Sequence, residues 1–521
     1  MRLFRAGKGR FLVGGYLLLW AIPFLALFIS FFSFTGFFDT IFSSRVLSIL
    51  GYTFMQAAVS TAVSFVIAIL PAYYAGKHQN IVSGFLNSTV FIPFFFPAVS
   101  AIVAFSLVFS SNGLLSKAGL HPDVMYSLKG VVIAHVFYNA PLFVRYIGAA
   151  LRGIPREIIE EASASGASPM TRFLRIEWPL VSAAAGRAAL LVFVYSFMSF
   201  VIVLSIGGVD YYTIEAEISS VMRSTLDFPY ALSLAMLQFL LIGAVAAVLS
   251  RDARYELSGV SAPEKGTSVW SLLFSIGFML FEYSFVLLGI AACFYDFYSM
   301  KPDVGSLKSI LLSSADTGTS VIGSIGNSII VSTAVSIAAV MAAFTLAKQR
   351  VGRLKLLLVA TVGISSAFLS VGLLYTQIIS GVSAVLLFGF GCILNAVPVA
   401  YMFMSPHVEA FDRQLIDAAR ISGAGPVMIF RKIEFPLLLT VFMSAFFQVW
   451  MITFGEFTIA YTMQIQDSLP LASITAFALQ SSHHMREGAA LSGLMICIVL
   501  LLCALNSLLL RRMDHRERKS G

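Results

Sequence analysis

Charged residues are scarce in this chain, and apolar runs are long. Only 12% of the 521 residues are charged, whereas 58% are hydrophobic. A soluble domain typically carries about 25% charged residues, so this composition excludes an ordinary water-soluble fold. Runs of about 20 apolar residues predict membrane-spanning helices, and such runs fill most of the sequence. We therefore predict an all-α, multi-pass membrane protein.

Cysteine is also rare. The four cysteines lie in apolar stretches, and none forms a C-x-x-C pair, so neither a disulfide framework nor a zinc site is indicated. The sequence offers no other metal motif and no nucleophile–base constellation. We expect no catalytic residue, no metal site and no cofactor bound by this chain, and thus a protein that is not an enzyme.

The apolar runs predict about twelve spans. They lie at roughly 11–34, 53–75, 87–110, 130–150, 180–206, 231–250, 271–294, 325–347, 355–379, 381–404, 437–461 and 489–510.

The distribution of basic residues predicts the orientation of these spans. If the N-terminus is cytoplasmic, 25 of the 34 Lys and Arg residues fall in cytoplasmic segments, 7 in outer segments and 2 within spans. This is the positive-inside pattern, and it places both termini in the cytoplasm. The net charge of +8 therefore reflects topology in a lipid bilayer, and we expect no nucleic-acid partner.

The sequence repeats itself. The string VSTAVS at 59–64 recurs at 331–336, and a polar segment in each half shares residues at a constant offset of 257. Convergent use of small residues is the alternative explanation, but many paired positions at one offset disfavour it. We predict two parallel six-helix repeats, 1–250 and 269–521, joined by a cytoplasmic linker at 251–268. The paired positions are Arg156/Arg413, Glu160/Asp417, Gly166/Gly423, Pro169/Pro426, Ile176/Ile433, Glu177/Glu434 and Pro179/Pro436.

Each polar segment predicts a short helix, a tight turn and a second short helix. In the first copy Gly166 fits a left-handed C-cap, Pro169 restarts a helix and Pro179 ends it. Gly423, Pro426 and Pro436 have the same parts in the second copy. An amphipathic hairpin lying on lipid is an alternative, but the small residues at 162–165 make a poor lipid-facing surface. Small residues favour close docking to a protein partner.

These segments resemble the EAA loop of type I ABC importer permeases. The resemblance implies that each loop carries a coupling helix seated in a cleft of an ATP-binding subunit, and that the fold is the transmembrane domain of that importer class. The matching residues are Glu160, Glu161, Ala162, Gly166, Ile176 and Pro179 in the first copy, and Asp417, Ala418, Ala419, Gly423, Ile433 and Pro436 in the second. Glu161 and Asp417 depart from the family pattern, as do Trp178 and Phe435.

The chain lacks the phosphate-binding loop G-x-x-x-x-G-K-[ST]; its nearest string, GVSAPEKGTS, lacks the second glycine that the motif needs immediately before Lys265. We therefore expect ATP and Mg to bind a separate polypeptide, present in two copies because this chain supplies two loops. The resemblance also implies an extracytoplasmic substrate-binding protein, for which 207–229 and 462–488 are the candidate docking segments. It places the protein in a bacterial inner membrane.

A closer resemblance, to one group of these importer permeases, indicates the transported substrate. The strings AHVFYNAP (134–141), SFVIVLSIGG (199–208) and FGEFTIAY (454–461) look like those of thiamine importer permeases. Ferric-iron importer permeases share the fused layout and are the alternative. An ion-coupled secondary transporter is the alternative from another class, although it needs no paired EAA loops.

Candidate residues for the translocation path are few. Glu456 and Tyr195 are the candidates, because ionisable groups inside spans mark function by default and a cationic ring suits carboxylates and aromatics. For Glu282, in the seventh span, we expect instead a helix–helix hydrogen bond or a basic partner.

Overall fold

The all-α prediction is confirmed by a computed structural model. It describes residues 2–208, 212–249, 269–312, 320–349, 364–482 and 484–520, together with residues 358 and 361. In this described part, the only strands are a two-residue antiparallel pair, β1 (Tyr295–Asp296) and β2 (Lys301–Pro302). The predicted linker at 251–268 lies outside the described residues.

Helices of the first half of the sequence alternate between long spans and short connecting elements. They are α1 (Arg2–Phe31), α2 (Phe34–Ile41), α3 (Ser44–Lys77), α4 (Ile81–Thr89), α5 (Ala98–Phe109), α6 (Leu114–Lys117), α7 (Leu128–Arg152), α8 (Arg156–Ala164), α9 (Pro169–Arg172), α10 (Trp178–Phe197), α11 (Val201–Ile206), α12 (Ile214–Ser224) and α13 (Phe228–Leu249).

The second half follows the same order. Its helices are α14 (Val269–Ala291), α15 (Gly305–Leu312), α16 (Val321–Ala347), α17 (Ser366–Ser380), α18 (Ala384–Ala410), α19 (Arg413–Ile421), α20 (Pro426–Ile429), α21 (Phe435–Leu437), α22 (Leu439–Phe454), α23 (Thr458–Thr462), α24 (Ala472–Ser481) and α25 (Met485–Ser520).

Eleven stretches of helix in the described residues are long and apolar enough to cross a membrane. They correspond to eleven of the predicted spans. The predicted span at 355–379 corresponds to the shorter apolar helix α17, and the residues before it are largely outside the described part. Large apolar side chains such as Phe11, Ile330 and Leu386 are exposed along these helices, as a lipid-facing surface requires.

The described residues form two compact units, each built from both halves of the sequence. The first-half unit comprises Phe38–Ile218 and Met236–Val304. The second-half unit comprises Met1–Phe37, Ser219–Ala235 and Gly305–Gly521. The opening helix of each sequence half thus packs in the unit named for the other half.

Helix α14 joins the first-half unit through aromatic and polar contacts. The ring of Phe285 lies 4.3 Å from that of Phe105 on α5, and the Tyr283 hydroxyl donates to Thr89 on α4. The core of this unit lies between α3, α7 and α10, where small and large side chains alternate; Ala72, Phe143 and Val192 are fully buried there. Such alternation lets helices approach closely in a membrane.

Helix α1 joins the second-half unit. The ring of Phe24 lies 4.3 Å from that of Phe368 on α17, and the Tyr16 hydroxyl donates to the backbone oxygen of Leu394 on α18 at 3.2 Å. Gly372 permits the contact, because a Cβ atom there would lie 3.0 Å from the Cβ of Pro23.

Candidate functional site

The first polar loop begins with helix α8, which ends in a Schellman turn. The Gly166 N–H donates to the Ser163 oxygen at 3.0 Å, and the Ala167 N–H donates to the Ala162 oxygen at 3.1 Å. Gly166 has φ +81°, a left-handed conformation that glycine adopts without steric cost. The predicted cap is therefore confirmed. Helix α9 then starts at Pro169, with the Ser168 side chain accepting from the Thr171 N–H.

The second polar loop repeats this geometry. Asp412 caps α19 by accepting from the Gln414 N–H at 2.9 Å. Gly423, at φ +82°, donates to the Arg420 oxygen, and the Ala424 N–H donates to the Ala419 oxygen. Helix α20 restarts at Pro426. The two loops are thus structural repeats as well as sequence repeats.

The expectation that the second short helix ends before Pro179 or Pro436 is wrong. The chain instead stays helical through a π turn, residues Phe173–Glu177 in the first copy and Phe430–Glu434 in the second. The Trp178 N–H donates to the Phe173 oxygen, five residues back. Proline has no N–H to donate, and the wider π turn keeps the chain helical past each proline, into α10 in the first copy and into the short α21, one residue before α22, in the second.

Most of the motif residues are on the surface. Neither α8 nor α19 has a buried residue. Glu160 pairs with Arg156 in the same helix, and Asp417 pairs with Arg420 at 3.3 Å; both carboxylate side chains are 59% exposed. The remaining motif positions are exposed or half-buried: Glu161, Ala162, Gly166, Ile176 and Pro179, and Ala418, Ala419, Gly423, Ile433 and Pro436.

A buried ion pair fixes the first loop to the end of α3. The Lys77 ammonium, at the end of α3, lies 2.8 Å from the Glu177 carboxylate, and these side chains are 1% and 0% exposed. Arg172 adds a second contact to the same oxygen at 3.1 Å. His78 follows Lys77, and burial, then the charge of Lys77, lowers the pKa of His78 below its usual value.

The second loop has the same pair in a more open setting. Lys348, which follows α16, lies 2.6 Å from Glu434. Glu434 is buried, but the Lys348 side chain is 38% exposed. Beside the pair lies a cavity of about 200 Å³, whose lining includes Lys348, Glu434, Asp417 and Arg420.

The sequence did not predict a role for these lysines beyond their contribution to the positive charge of the cytoplasmic segments. A signal was present, since Lys77 and Lys348 both stand at the end of the helix that carries the VSTAVS repeat. The repeat relates Glu177 to Glu434 at the offset of 257, but it predicts no function for either residue. Their pairing with lysines 100 and 86 residues away becomes visible only in the folded chain.

The two candidate path residues lie in different units. Glu456 is half-buried, and its Oε1 atom accepts from the Ile459 N–H at 3.0 Å at the start of α23. It therefore caps a short helix. Tyr195 lies on α10, is exposed, and has its ring 5.7 Å from that of Phe94.

The expectation for Glu282 is wrong. This side chain is buried, but neither of its carboxylate oxygens has a hydrogen-bond partner in the described part of the chain. The reason is the packing of α14, which contacts α3 and α5 and whose neighbours on α5 are aromatic, as at Phe105. Among the described residues, no group of three His, Cys, Asp or Glu side chains is placed to hold a metal ion.

Comparison with known proteins agrees with the two-loop arrangement. The chain matches the family described as "Binding-protein-dependent transport system inner membrane component" twice, over residues 62–253 and 334–519. Each matched region contains one polar loop, and together they cover most of the chain. The chain therefore belongs to this family, as a fused permease component that carries the family region once in each half. This confirms the resemblance noted from the loops.

Individual relatives share part of their length with this chain. The "Thiamine transport system permease protein ThiP" of Brucella suis is 30% identical over 212 residues, 39% of each chain. That of Haemophilus influenzae is 27% identical over 253 residues, 45% of this chain and 46% of the relative. A "Probable sulfate transport system permease protein cysT" of Marchantia polymorpha is 28% identical over 136 residues, 26% of this chain and 47% of the relative. The chain thus aligns with less than half of these relatives' length.

Proposed function

We propose that this chain is the membrane permease of an ATP-driven importer whose cargo is thiamine or a thiamine phosphate. The observation that carries the proposal is the doubled loop: two helices without a buried residue, α8 and α19, each ended by a left-handed glycine and followed by a glutamate, Glu177 or Glu434, that pairs with a lysine at the end of a span. A pair of exposed helices of matching geometry suits docking to a pair of identical partners.

The proposed partners are two copies of an ATP-binding subunit, one for each loop. Each coupling helix has nine residues, a length of about 14 Å, which fits a groove on a protein surface. Glu160 and Asp417 present exposed carboxylates there, suited to basic side chains of the partner. A substrate-binding protein would dock on the opposite side, at the predicted outer segments 207–229 and 462–488.

The proposed mechanism is alternating access. ATP bound with Mg²⁺ on the partner subunits supplies the free energy. Closure of those subunits moves the coupling helices, and the π turns transmit the movement, because the first continues without a break into α10 and the second leads through α21 and Leu438 to α22. The spans then open the path to one side of the membrane at a time.

Thiamine is favoured over other cargoes by the similarity to thiamine permeases and by the strings quoted above. Its cationic ring suits a path with aromatic and carboxylate groups, for which Tyr195 and Glu456 are our candidates. Sulfate is the second candidate, because a sulfate permease matches part of the chain. Ferric iron remains the alternative from the sequence.

The test is purification of the tagged permease from its native membrane, followed by assay of the ATPase activity retained with it. In nanodiscs, we expect the activity to rise with thiamine-loaded binding protein. Glu160→Lys and Asp417→Lys should lower the retained ATPase by about tenfold or more, because like-charge contacts at an interface cost several kcal/mol. Glu157→Lys, on the same exposed helix but outside the motif, is the matched control and should retain the ATPase.

Each outcome of this test is informative. Stimulation by a sulfate-loaded or ferric-loaded binding protein alone would keep the importer and replace the cargo. If no ATPase co-purifies with the wild-type chain, the proposed function is wrong.

A further inference from the structure

In the first copy, polar contacts run without interruption from the span to the coupling helix. Lys77, at the end of α3, contacts Glu177 at 2.8 Å, and Glu177 contacts Arg172 at 3.1 Å. The Nη1 atom of Arg172 then donates to the Ser163 hydroxyl on α8 at 3.3 Å. Three of these four side chains are almost fully buried. Charge-assisted hydrogen bonds are strong and directional when shielded from water.

In the second copy, the residue types that would complete this connection are different. Position 429, which corresponds to Arg172, is a buried isoleucine and offers no donor. Position 420, which corresponds to Ser163, is an arginine that contacts Asp417 within its own helix at 3.3 Å. Arg420 and Glu434, the counterparts of the two residues that Arg172 joins, both line the cavity.

We propose that Arg172 is a positioning residue that locks the first coupling helix to its span, and that the second coupling helix, which lacks this lock, changes its tilt independently. The predicted effect on transport rests on the proposed function, whereas the predicted difference in mobility between α8 and α19 does not. The two loops then act unequally: α8 moves as one body with α3 and α10, whereas α19 moves against α16 across the cavity.

Charge and exposure favour this asymmetry over two equivalent loops. In the first copy two cations contact one buried carboxylate, Glu177, and both contacts are largely shielded from water, which strengthens them. In the described part of the second copy, Glu434 pairs with Lys348, whose side chain reaches water, and water competes for that contact. The neighbouring cavity leaves space into which α19 can shift.

The first experiment measures amide hydrogen exchange of the permease alone in nanodiscs, corrected for intrinsic rates. Amides of 413–421 should exchange faster than those of 156–164, because local opening needs fewer contacts to break. Arg172→Ile should raise exchange in 156–164 towards the second-copy rate. Ile429→Arg combined with Arg420→Ser should lower exchange in 413–421. Arg175→Ile, an exposed arginine in the same π turn, and Arg420→Ser alone are the matched controls.

The second experiment measures cargo imported per ATP hydrolysed by the assembled transporter. Arg172→Ile should lower this ratio while the ATPase stays bound, and Arg172→Lys should restore part of it, which a general loss of folding would not produce. Equal exchange in the two loops, or reciprocal variants that shift neither loop, would overturn the inference whether or not an ATPase binds. Absence of a bound ATPase in the wild type would overturn the proposed function and leave the exchange result standing.

Discussion

At the residue scale, the two lysine–glutamate pairs differ in how much the protein's stability depends on them. Lys77 and Glu177 are shielded from water, and Arg172 shares the same carboxylate. Lys348 is partly solvated, although its partner Glu434 is buried. A buried pair gains little on balance, yet loss of one member is costly because the remaining charge is uncompensated.

Glu177→Gln should therefore be much more destabilising than Glu434→Gln. The first substitution leaves two buried cations and should cost about 3 to 5 kcal/mol; the second leaves a partly solvated lysine and should cost about 1 kcal/mol or less. The measurement is the thermal unfolding midpoint in detergent, with Glu161→Gln on the exposed helix face as the control. Equal midpoints for the two variants would contradict the difference in burial.

At the element scale, the polar loop is defined by how its helices end. The Schellman turns place Gly166 and Gly423 at positive φ, and the π turns lead the chain past Pro179 and Pro436 into the next helix. In the first copy the π turn leads directly into the long helix α10, whereas in the second copy Leu438 separates the short α21 from α22.

Gly166→Ala and Gly423→Ala should each destabilise the protein by about 1 to 2 kcal/mol, because alanine is strained in the left-handed region. The cause is backbone strain alone, since a Cβ atom at either position meets nothing within 4 Å. Gly166→Asn should cost less, because asparagine tolerates this conformation. Thermal unfolding of these variants, compared with Gly186→Ala in α10, provides the test. Gly186 has free space and no positive φ, so its substitution by alanine should stabilise the helix. If Gly186→Ala lowered the unfolding midpoint as much as Gly166→Ala, backbone strain at Gly166 would not be the cause.

At the scale of the whole molecule, the two units exchange their opening helices. Helix α1 belongs to the second-half unit and α14 to the first-half unit. Each unit is therefore completed by a helix that the other half of the sequence encodes. Covalent fusion of the two halves keeps both components present in equal amount.

Gly372→Val should loosen α1 from the second-half unit, because a side chain at position 372 would press on Pro23. Overpacking of this kind costs about 1 to 3 kcal/mol. Gly389→Val is the matched control, since Gly389 lies in a helix of the same unit with nothing within 4 Å. Limited proteolysis between α1 and α2, together with the unfolding midpoint, measures the effect. Unchanged cleavage in Gly372→Val would show that α1 does not depend on this contact.

The sequence by itself determined the features that depend on neighbouring residues or on the internal repeat. Hydropathy determined the all-α class and the spans, because twenty apolar residues have few other stable states in a membrane. The constant offset determined the repeat, and glycine and proline spacing determined the turn at Gly166 and Gly423. The helix that continues past Pro179 shows the limit of this reasoning, since a π turn altered what the local pattern predicted.

The tertiary structure alone decided the features that depend on long-range packing. Residues 77 and 177 are 100 positions apart, and only the contact of α3 with the polar loop brings their charges together. The exchange of α1 and α14 and the cavity at Lys348 likewise depend on which helix faces pack, and many pairings of apolar faces are compatible with the same hydropathy. Side-chain packing selects one of them, and with it the different contacts that hold the two polar loops.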